Sequence, residues 1–195
     1  MRYINRWSLM RSYENENVAE HSHCVAIMAH ALCVIENKLF GGSLDENKAA
    51  VIALYHETSE VITGDLPTPI KYFNNGITDA YKQLESQAEE KMLRQLPDEL
   101  VDSFAPLVCD KSSDEYRFVK YADKLAAYVK CIEEINAGNP EFNSAFKTIG
   151  EWLDNADSRS VNYFKKNFID AFYLTLDKLR EVGKRTSRDF LYALI

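Results

Sequence analysis

Residues 17–40 read NVAEHSHCVAIMAHALCVIENKLF, and their apolar positions recur at steps of three and four. Such spacing places side chains on one face of a helix. The residues on this face are Val18, His21, Val25, Met28 and Leu32. Asn17, with Glu20 three positions later, matches a capping box at the start. Gly41 favours an end near Phe40, since glycine commonly terminates helices. The stretch predicts one long, largely buried helix.

The same periodicity predicts helices along the rest of the chain. Their expected bounds are Asp45–Thr63, Asp79–Leu96, a short helix opening at Pro97, Asp114–Ala137, Glu141–Ala156, Ser158–Val182 and Ser187–Ile195. Pro67 and Pro69 predict a stiff, irregular loop after the second helix, because proline lacks an N–H and clashes with a preceding turn. The sequence contains no convincing alternation typical of a strand and no linker. We therefore expect an all-α protein in which residues 1–195 form a single domain.

Composition and charge narrow the classes of partner. The 30 acidic residues outnumber the 23 basic ones, giving a formal net charge of −7. A surface of this sign repels nucleic-acid polymers, although a small anionic substrate needs only a local positive pocket. The basic N-terminus lacks the apolar core of a signal peptide, and no apolar run reaches the roughly 20 residues of a membrane span. These features predict a cytoplasmic protein without a membrane partner.

Three polar residues lie on or beside the inward faces of different predicted helices: His21, His56 and Asp123. Taken singly, each has a structural explanation, either a hydrogen-bonded core histidine or, for Asp123, an ion pair with Lys120 or Lys124. Taken together, two imidazoles and a carboxylate converging inside a bundle indicate a metal site. Nitrogen and oxygen ligands of this kind suit Mn²⁺, Fe²⁺, Co²⁺, Ni²⁺ or Zn²⁺. Such an ion would activate a water and polarise a phosphoryl oxygen.

Other residues near these positions have the chemistry to support hydrolysis. Glu60 follows His56 by one helical turn and could take or deliver a proton. Asp65 follows on the proline loop and could hold a substrate hydroxyl. Arg6 offers a planar fork for phosphate, and Trp7 offers a flat wall for a sugar or base. A surface arginine beside a core-filling tryptophan explains this last pair equally well.

Five segments together resemble a known family. They are INRW at residues 4–7, ENVAEHS at 16–22, YHETSEV at 55–61, TGDLPTPIKY at 63–72 and KYAD at 120–123. They resemble the HD-domain phosphohydrolases and, within them, the bacterial 5′-deoxynucleotidases called YfbR-like proteins. The resemblance extends over nearly the whole chain, and the run Gly-Asp-Leu-Pro-Thr-Pro is much more specific than an isolated His-Asp pair.

The resemblance implies an HD-type helical bundle with a metal site in its core. It implies hydrolysis of deoxyribonucleoside 5′-monophosphates, a divalent metal such as Co²⁺ or Mn²⁺, and a homodimer. The implied metal ligands are His21, His56, Glu57 and Asp123. The implied catalytic residues are Glu60, Asp65 and Arg6. The implied substrate contacts are Arg6, Trp7, Asp65, Leu66, Pro67 and Thr68. Trp7 would be the wall that clashes with a ribose 2′-hydroxyl.

The sequence departs from the family pattern at one ligand. The family has an adjacent His-Asp doublet, whereas this chain has His56-Glu57. Glutamate keeps the charge but extends the carboxylate by one carbon–carbon bond, about 1.5 Å. We expect Glu57 to ligate. Two alternatives are an HD-type phosphohydrolase acting on another nucleotide or phosphate ester, and a nucleotide-binding member whose turnover is impaired by Glu57.

Overall fold

In the computed structural model, which describes residues 1–175 and Lys178, the fold is a bundle of helices. Within these residues there is no strand, and the one isolated β-bridge pairs Asn5 with Asn17. The helices are α1 Val18–Phe40, α2 Glu46–Tyr55, α3 Glu60–Thr63, α4 Thr68–Lys71, α5 Asn75–Leu93, α6 Asp98–Val108, α7 Asp114–Asn136, α8 Asn143–Asp154 and α9 Arg159–Phe168. Two 3₁₀ helices span Pro140–Phe142 and Ile169–Tyr173. The all-α prediction is confirmed.

Helix α1 forms the centre of the bundle and packs against α2, α7 and α9. The predicted capping box is present: the Asn17 side chain accepts from the backbone N–H of Glu20, whose carboxylate returns a contact to the Asn17 N–H. Gly41 ends the helix in the left-handed region, with φ 75°. By length and composition α1 could cross a membrane, but 56% of its most apolar window is buried inside the protein. Such burial is typical of a core helix.

The predicted apolar faces of the two longest helices are confirmed. On α1 all five residues of the face are fully buried, and on α7 the equivalent positions are at most 4% exposed. Those positions of α7 are Phe118, Ala122, Leu125, Val129 and Ile132. Burial of this apolar surface is the main favourable term in folding, and it fixes the register between the two helices that carry His21 and Asp123.

Four predicted helix boundaries differ from the structure. The helix expected over Asp45–Thr63 is divided into α2 and α3 by a turn at residues 56–59. The proline loop contains the short helix α4, with Pro69 in its first turn, where a missing N–H costs nothing. Helix α5 begins at Asn75 instead of Asp79, because Asn74 caps it. Pro97 precedes α6 as its cap residue and is not its first helical residue.

The C-terminal prediction is partly outside the described residues. The helix expected from Ser158 ends as an α-helix at Phe168 and continues as the 3₁₀ helix Ile169–Tyr173. The remainder of that prediction and the last helix, Ser187–Ile195, lie outside the described residues.

A buried carboxylate ties the segment before α1 to the end of α7. Glu134 is 2% exposed and accepts hydrogen bonds from the backbone N–H groups of Tyr13 and Glu14, at 2.9 and 3.1 Å. It also accepts from Lys130 Nζ at 2.7 Å and from Asn139 Nδ2 at 2.8 Å. Because four donors satisfy one carboxylate, this contact holds the N-terminal segment, which carries Arg6 and Trp7, in one position.

Candidate metal centre

The turn between α2 and α3 brings two adjacent side chains to one point. The Thr58 hydroxyl donates to the carbonyl of Tyr55 at 2.6 Å, and His56 Nδ1 lies 2.6 Å from the carbonyl of Ala53. These contacts give the backbone an alternative to continuing the helix. On a continuous helix, successive residues point about 100° apart. The turn removes that separation, so His56 and Glu57 both face the gap between α1 and α7.

Four side chains converge there, and all four are those expected from the sequence. One ligand atom from each of His21, His56, Glu57 and Asp123 lies within 4.8 Å of the others. His21 Nε2 is 3.1 Å from Asp123 Oδ1, and His56 Nε2 is 3.2 Å from Glu57 Oε1. The rings of His21 and His56 have centroids 5.5 Å apart. This arrangement could hold a divalent ion with two nitrogen and two oxygen ligands.

The hydrogen bonding of the histidines fits a metal. His56 Nδ1 faces a carbonyl, which favours the tautomer with its proton on Nδ1 and leaves Nε2 free to ligate. Within the described chain, His56 Nε2 is buried and makes no hydrogen bond. Buried polar atoms almost always have a partner. An unpartnered imidazole nitrogen facing two carboxylates is therefore consistent with a ligand position.

The charges of the site are unevenly distributed. Burial opposes ionisation of Asp123, but its contacts with His21, Lys124 and Lys120 outweigh this and hold its pKa well below the ordinary range. Burial likewise opposes ionisation of Glu57, and the neighbouring His56 lowers its pKa. Lys124 Nζ lies 3.8 Å from Asp123 Oδ2, farther than His21 from Oδ1. Both carboxylates are therefore available as anions.

Glu60 differs electrostatically from the two ligand carboxylates. It is 7% exposed, and within the described residues its Oε2 atom has no hydrogen-bond partner. Burial, followed by the negative charges of Glu57 and Asp65, raises its pKa. Burial also raises the pKa of Asp65, although Arg6 acts in the opposite direction. A carboxyl group whose pKa is raised toward neutrality can both donate and accept a proton.

Arg6 and Trp7 lie beside the metal centre and share one partner. Arg6 Nε and Trp7 Nε1 both donate to Oε2 of Glu16, at 3.1 and 2.9 Å. The other oxygen of Glu16, Oε1, lies 3.8 Å from His21 Nδ1. Burial disfavours the Arg6 cation, but the carboxylates of Glu16 and Asp123 outweigh it and raise its pKa. The side chain of Arg6 is 13% exposed, so its charge faces a sheltered site.

Trp7 has a backbone conformation that is unusual for a large side chain. Its φ is 60°, in the left-handed region that favours glycine or asparagine. Its ring packs against Phe142 with centroids 5.2 Å apart, and its carbonyl accepts from the Met10 N–H at 2.8 Å. Residues held in this region cost on the order of 1–3 kcal/mol and concentrate at functional sites.

The remaining predicted substrate contacts occupy the loop between α3 and α4. Leu66 and Pro67 are half-buried, and Thr68 is exposed at the first position of α4. The Tyr81 hydroxyl holds this loop from α5, lying 3.2 Å from the Thr63 hydroxyl and donating to the Gly64 carbonyl at 3.3 Å. The structure thus anchors the loop next to Glu60 in the chain but records no side-chain hydrogen bond from Thr68 to the four ligands.

Sequence reasoning missed two features of the site. Glu16 was noted only as part of a motif, although it joins Arg6 and Trp7. Its position directly before the cap residue Asn17 was the available signal. Lys120 and Lys124 were considered only as ion-pair partners of Asp123, yet they place two positive charges one turn apart at the edge of the site. The neighbouring carboxylate Asp123 raises the pKa of Lys120 against the effect of burial.

A helical bundle with two histidines and two carboxylates at its core defines a metal-dependent hydrolase of the HD-domain class. Two solved structures share this fold. An HD-domain phosphohydrolase from Listeria innocua matches with a TM-score of 0.77 at 24% identity, covering 88% of this chain and 83% of that one. The PH0347 protein from Pyrococcus horikoshii matches with a TM-score of 0.64 at 21% identity, covering 88% and 92%.

Sequence comparison identifies the family within this class. The family described as 5'-deoxynucleotidase YfbR-like matches residues 1–172. Proteins named 5'-deoxynucleotidase YfbR from Salmonella paratyphi B and Salmonella newport are each 48% identical over 183 residues, covering 93% of this chain and 92% of the relative. The chain belongs to the 5'-deoxynucleotidase YfbR-like family.

Proposed function

We propose that this protein hydrolyses deoxyribonucleoside 5′-monophosphates to deoxynucleosides and phosphate. One observation carries the proposal: His21, His56, Glu57 and Asp123 converge within 4.8 Å beside a sheltered arginine and tryptophan. A phosphate needs positive charge, and a nucleoside needs a flat surface; Arg6 and Trp7 supply both. The relatives named 5'-deoxynucleotidase YfbR support this choice of substrate.

The proposed division of labour starts with the phosphate. A divalent ion held by the four ligands would polarise a phosphoryl oxygen and lower the pKa of a water. Arg6 would bind the phosphate oxygens with its planar guanidinium and compensate the charge that develops in the transition state. Because Glu16 occupies Arg6 Nε, the terminal nitrogens of the guanidinium remain for the substrate. Lys120 and Lys124 add positive potential on the α7 side.

Proton transfer is assigned to the acidic pair beyond the turn. Glu60, whose pKa is raised by burial and by neighbouring carboxylates, would deliver a proton to the leaving 5′-oxygen or take one from the attacking water. Asp65 would hold a sugar hydroxyl. Leu66, Pro67 and Thr68 would line the nucleoside. Trp7 would close the space that a ribose 2′-hydroxyl requires, which gives the preference for deoxyribose.

Further parts of the proposal concern the state of the protein. We expect a homodimer, because several exposed apolar side chains lie on α2 and in the region from α3 to α4 and the residues after it: Val51, Leu54, Val61, Ile62, Ile70 and Phe73. A contiguous apolar surface of this kind favours association. Light scattering after size-exclusion chromatography measures the mass directly, and a mass of one chain at micromolar concentration would contradict the dimer. We further propose one domain over residues 1–195 and a cytoplasmic location.

The activity is tested by phosphate release with a panel of metals. Purified protein is stripped with chelator, reloaded with Mn²⁺, Co²⁺, Ni²⁺, Zn²⁺ or Mg²⁺, and offered dAMP, dTMP and AMP. We expect release from the deoxynucleotides with Mn²⁺ or Co²⁺, and slower release from AMP. The stripped protein is the control. Absence of release from every deoxynucleotide with every metal would refute the function.

A further inference from the structure

Glu16 lies between the two halves of the site. Its Oε2 atom accepts from Arg6 Nε and Trp7 Nε1, and its Oε1 atom faces His21 Nδ1 at 3.8 Å. Its side chain is 13% exposed, so little water competes for these contacts. Within the described chain, His21 Nδ1 is itself buried and makes no hydrogen bond. Glu16 is thus the one group in contact with both proposed substrate residues and adjacent to a proposed ligand.

The backbone around Glu16 is held firmly. Its carbonyl accepts from the Arg6 N–H at 2.9 Å, and the Val18 N–H donates to the Ile4 carbonyl at 3.0 Å. These two bonds form the bridge between Asn5 and Asn17. The segment just before Glu16 is fixed to α7 through Glu134. A carboxylate on so constrained a backbone can fix the positions of its partners.

Trp7 depends on such a partner. Its left-handed backbone at φ 60° is unfavourable for a large side chain, so contacts must compensate for it. The indole contacts that do so are the hydrogen bond to Glu16 and the packing on Phe142. Packing on Phe142 restrains the ring through non-directional contact, whereas the hydrogen bond fixes which edge of the indole points inward. The edge facing the substrate is therefore set by Glu16.

We propose that Glu16 is a positioning residue that orients Trp7 and Arg6 together and thereby sets the discrimination between deoxyribose and ribose. The inference rests on the proposed function, since it assumes that Trp7 faces the sugar and Arg6 the phosphate. A purely structural ion pair would stabilise the segment without affecting selectivity. The two explanations therefore differ in a measurable way.

The first test is independent of activity. The chain has two tryptophans, Trp7 and Trp152, so a protein labelled with ¹⁵N-tryptophan gives two indole N–H signals, assigned with Trp7→Phe. Glu16→Gln replaces a charged acceptor by a neutral amide of the same size. We expect the Trp7 proton signal to move upfield, because hydrogen bonds to neutral acceptors are weaker. Glu14→Gln, the same change on an exposed side chain of the same segment, should leave both signals in place.

The second test measures selectivity. The ratio of kcat/KM for dAMP to that for AMP should fall about tenfold in Glu16→Gln, the scale of one charge-assisted hydrogen bond. Glu14→Gln should keep the wild-type ratio. In the Trp7→Phe background, which lacks the indole donor but keeps a ring, Glu16→Gln should have little further effect on the ratio. Circular dichroism confirms that each variant is folded, and Trp7→Phe removes the same hydrogen bond if Glu16→Gln does not fold.

The outcomes separate the two proposals. An unmoved Trp7 signal, or an unchanged ratio with a moved signal, overturns the role of Glu16 in selectivity. A wild-type protein that is inactive on every deoxynucleotide overturns the proposed function instead, while the indole signal still reports whether Glu16 holds Trp7. A moved signal together with a reduced ratio supports the inference.

Discussion

His21 Nε2 and Asp123 Oδ1 lie 3.1 Å apart, although 102 positions separate the two residues in the chain. The contact joins the start of α1 to the middle of α7, and the apolar faces of these helices bring the two side chains together. Each side chain is at most 12% exposed. A buried histidine–carboxylate contact at the junction of two core helices makes the fold and the proposed chemistry depend on the same packing.

Replacing His21 tests the metal centre. His21→Ala removes one proposed ligand, and we expect Mn²⁺ affinity, measured by isothermal titration calorimetry, to fall by at least about a hundredfold, beyond what changes around a ligand usually cause. His23→Ala is the matched control, because His23 is exposed on the same helix. Equal Mn²⁺ affinities in the two variants would show that His21 does not ligate.

Shortening Glu57 tests whether the glutamate is fitted to this backbone. Glu57→Asp withdraws the carboxylate by about 1.5 Å, whereas metal–oxygen distances tolerate a few tenths of an ångström. We expect Mn²⁺ affinity to fall about tenfold, with a similar loss for Co²⁺. Titration calorimetry on the stripped protein measures both.

The Glu57→Gln variant separates length from charge, since it keeps the reach of the side chain and removes its anion. It should lose affinity as well. A gain of affinity and of phosphate release in Glu57→Asp would mean that the natural glutamate impairs the site, and would favour the alternative of a binding protein with reduced turnover.

Glu60 is expected to act in the reaction and not in metal binding. Glu60→Gln keeps the size of the side chain but cannot exchange a proton, so we expect kcat to fall about a hundredfold or more. Mn²⁺ affinity should stay within about threefold of wild type. Glu90→Gln, an exposed change on α5, provides the control. A parallel loss of metal and activity in Glu60→Gln would instead place Glu60 among the ligands.

Glu134 is expected to make stability depend on pH. Burial opposes its ionisation, but Lys130, the Tyr13 N–H and Asn139 outweigh this and lower its pKa from 4.5 to about 2. A lowered pKa stabilises the folded state fully above the ordinary pKa, and this stabilisation is lost as pH falls from about 4.5 toward 2. Glu134→Gln should therefore reduce the free energy of unfolding at pH 7 by about 3 kcal/mol.

Urea denaturation at several pH values measures this difference. It should shrink as pH approaches 2, because the wild-type carboxylate then becomes protonated too. Glu133→Gln, on an adjacent exposed residue, should lack this loss at pH 7. A difference between Glu134→Gln and wild type that is constant from pH 7 to pH 3 would assign the effect to packing and not to ionisation.

The sequence was most informative where long-range packing repeats a simple pattern. The stripes of α1 and α7 predicted which faces are buried, and hence where His21 and Asp123 meet. It was least informative at residues 56–59, because periodicity describes a helix that continues. The helix ends there through hydrogen bonds from His56 and Thr58 to carbonyls one turn back, which spacing does not reveal. The contact of Glu16 with Arg6 and Trp7 was similarly hidden, since it depends on pairing between two irregular segments. The catalytic and binding roles stay predictions.

The left-handed backbone of Trp7 has a consequence for engineering this protein. A glycine or asparagine at position 7 would relieve the unfavourable conformation, so a search for heat-resistant variants should tend to recover such replacements. Each of them would also discard the indole that we propose excludes ribose. Thermal resistance and substrate fidelity thus compete at a single residue, and variants selected for the first should be screened for the second before use.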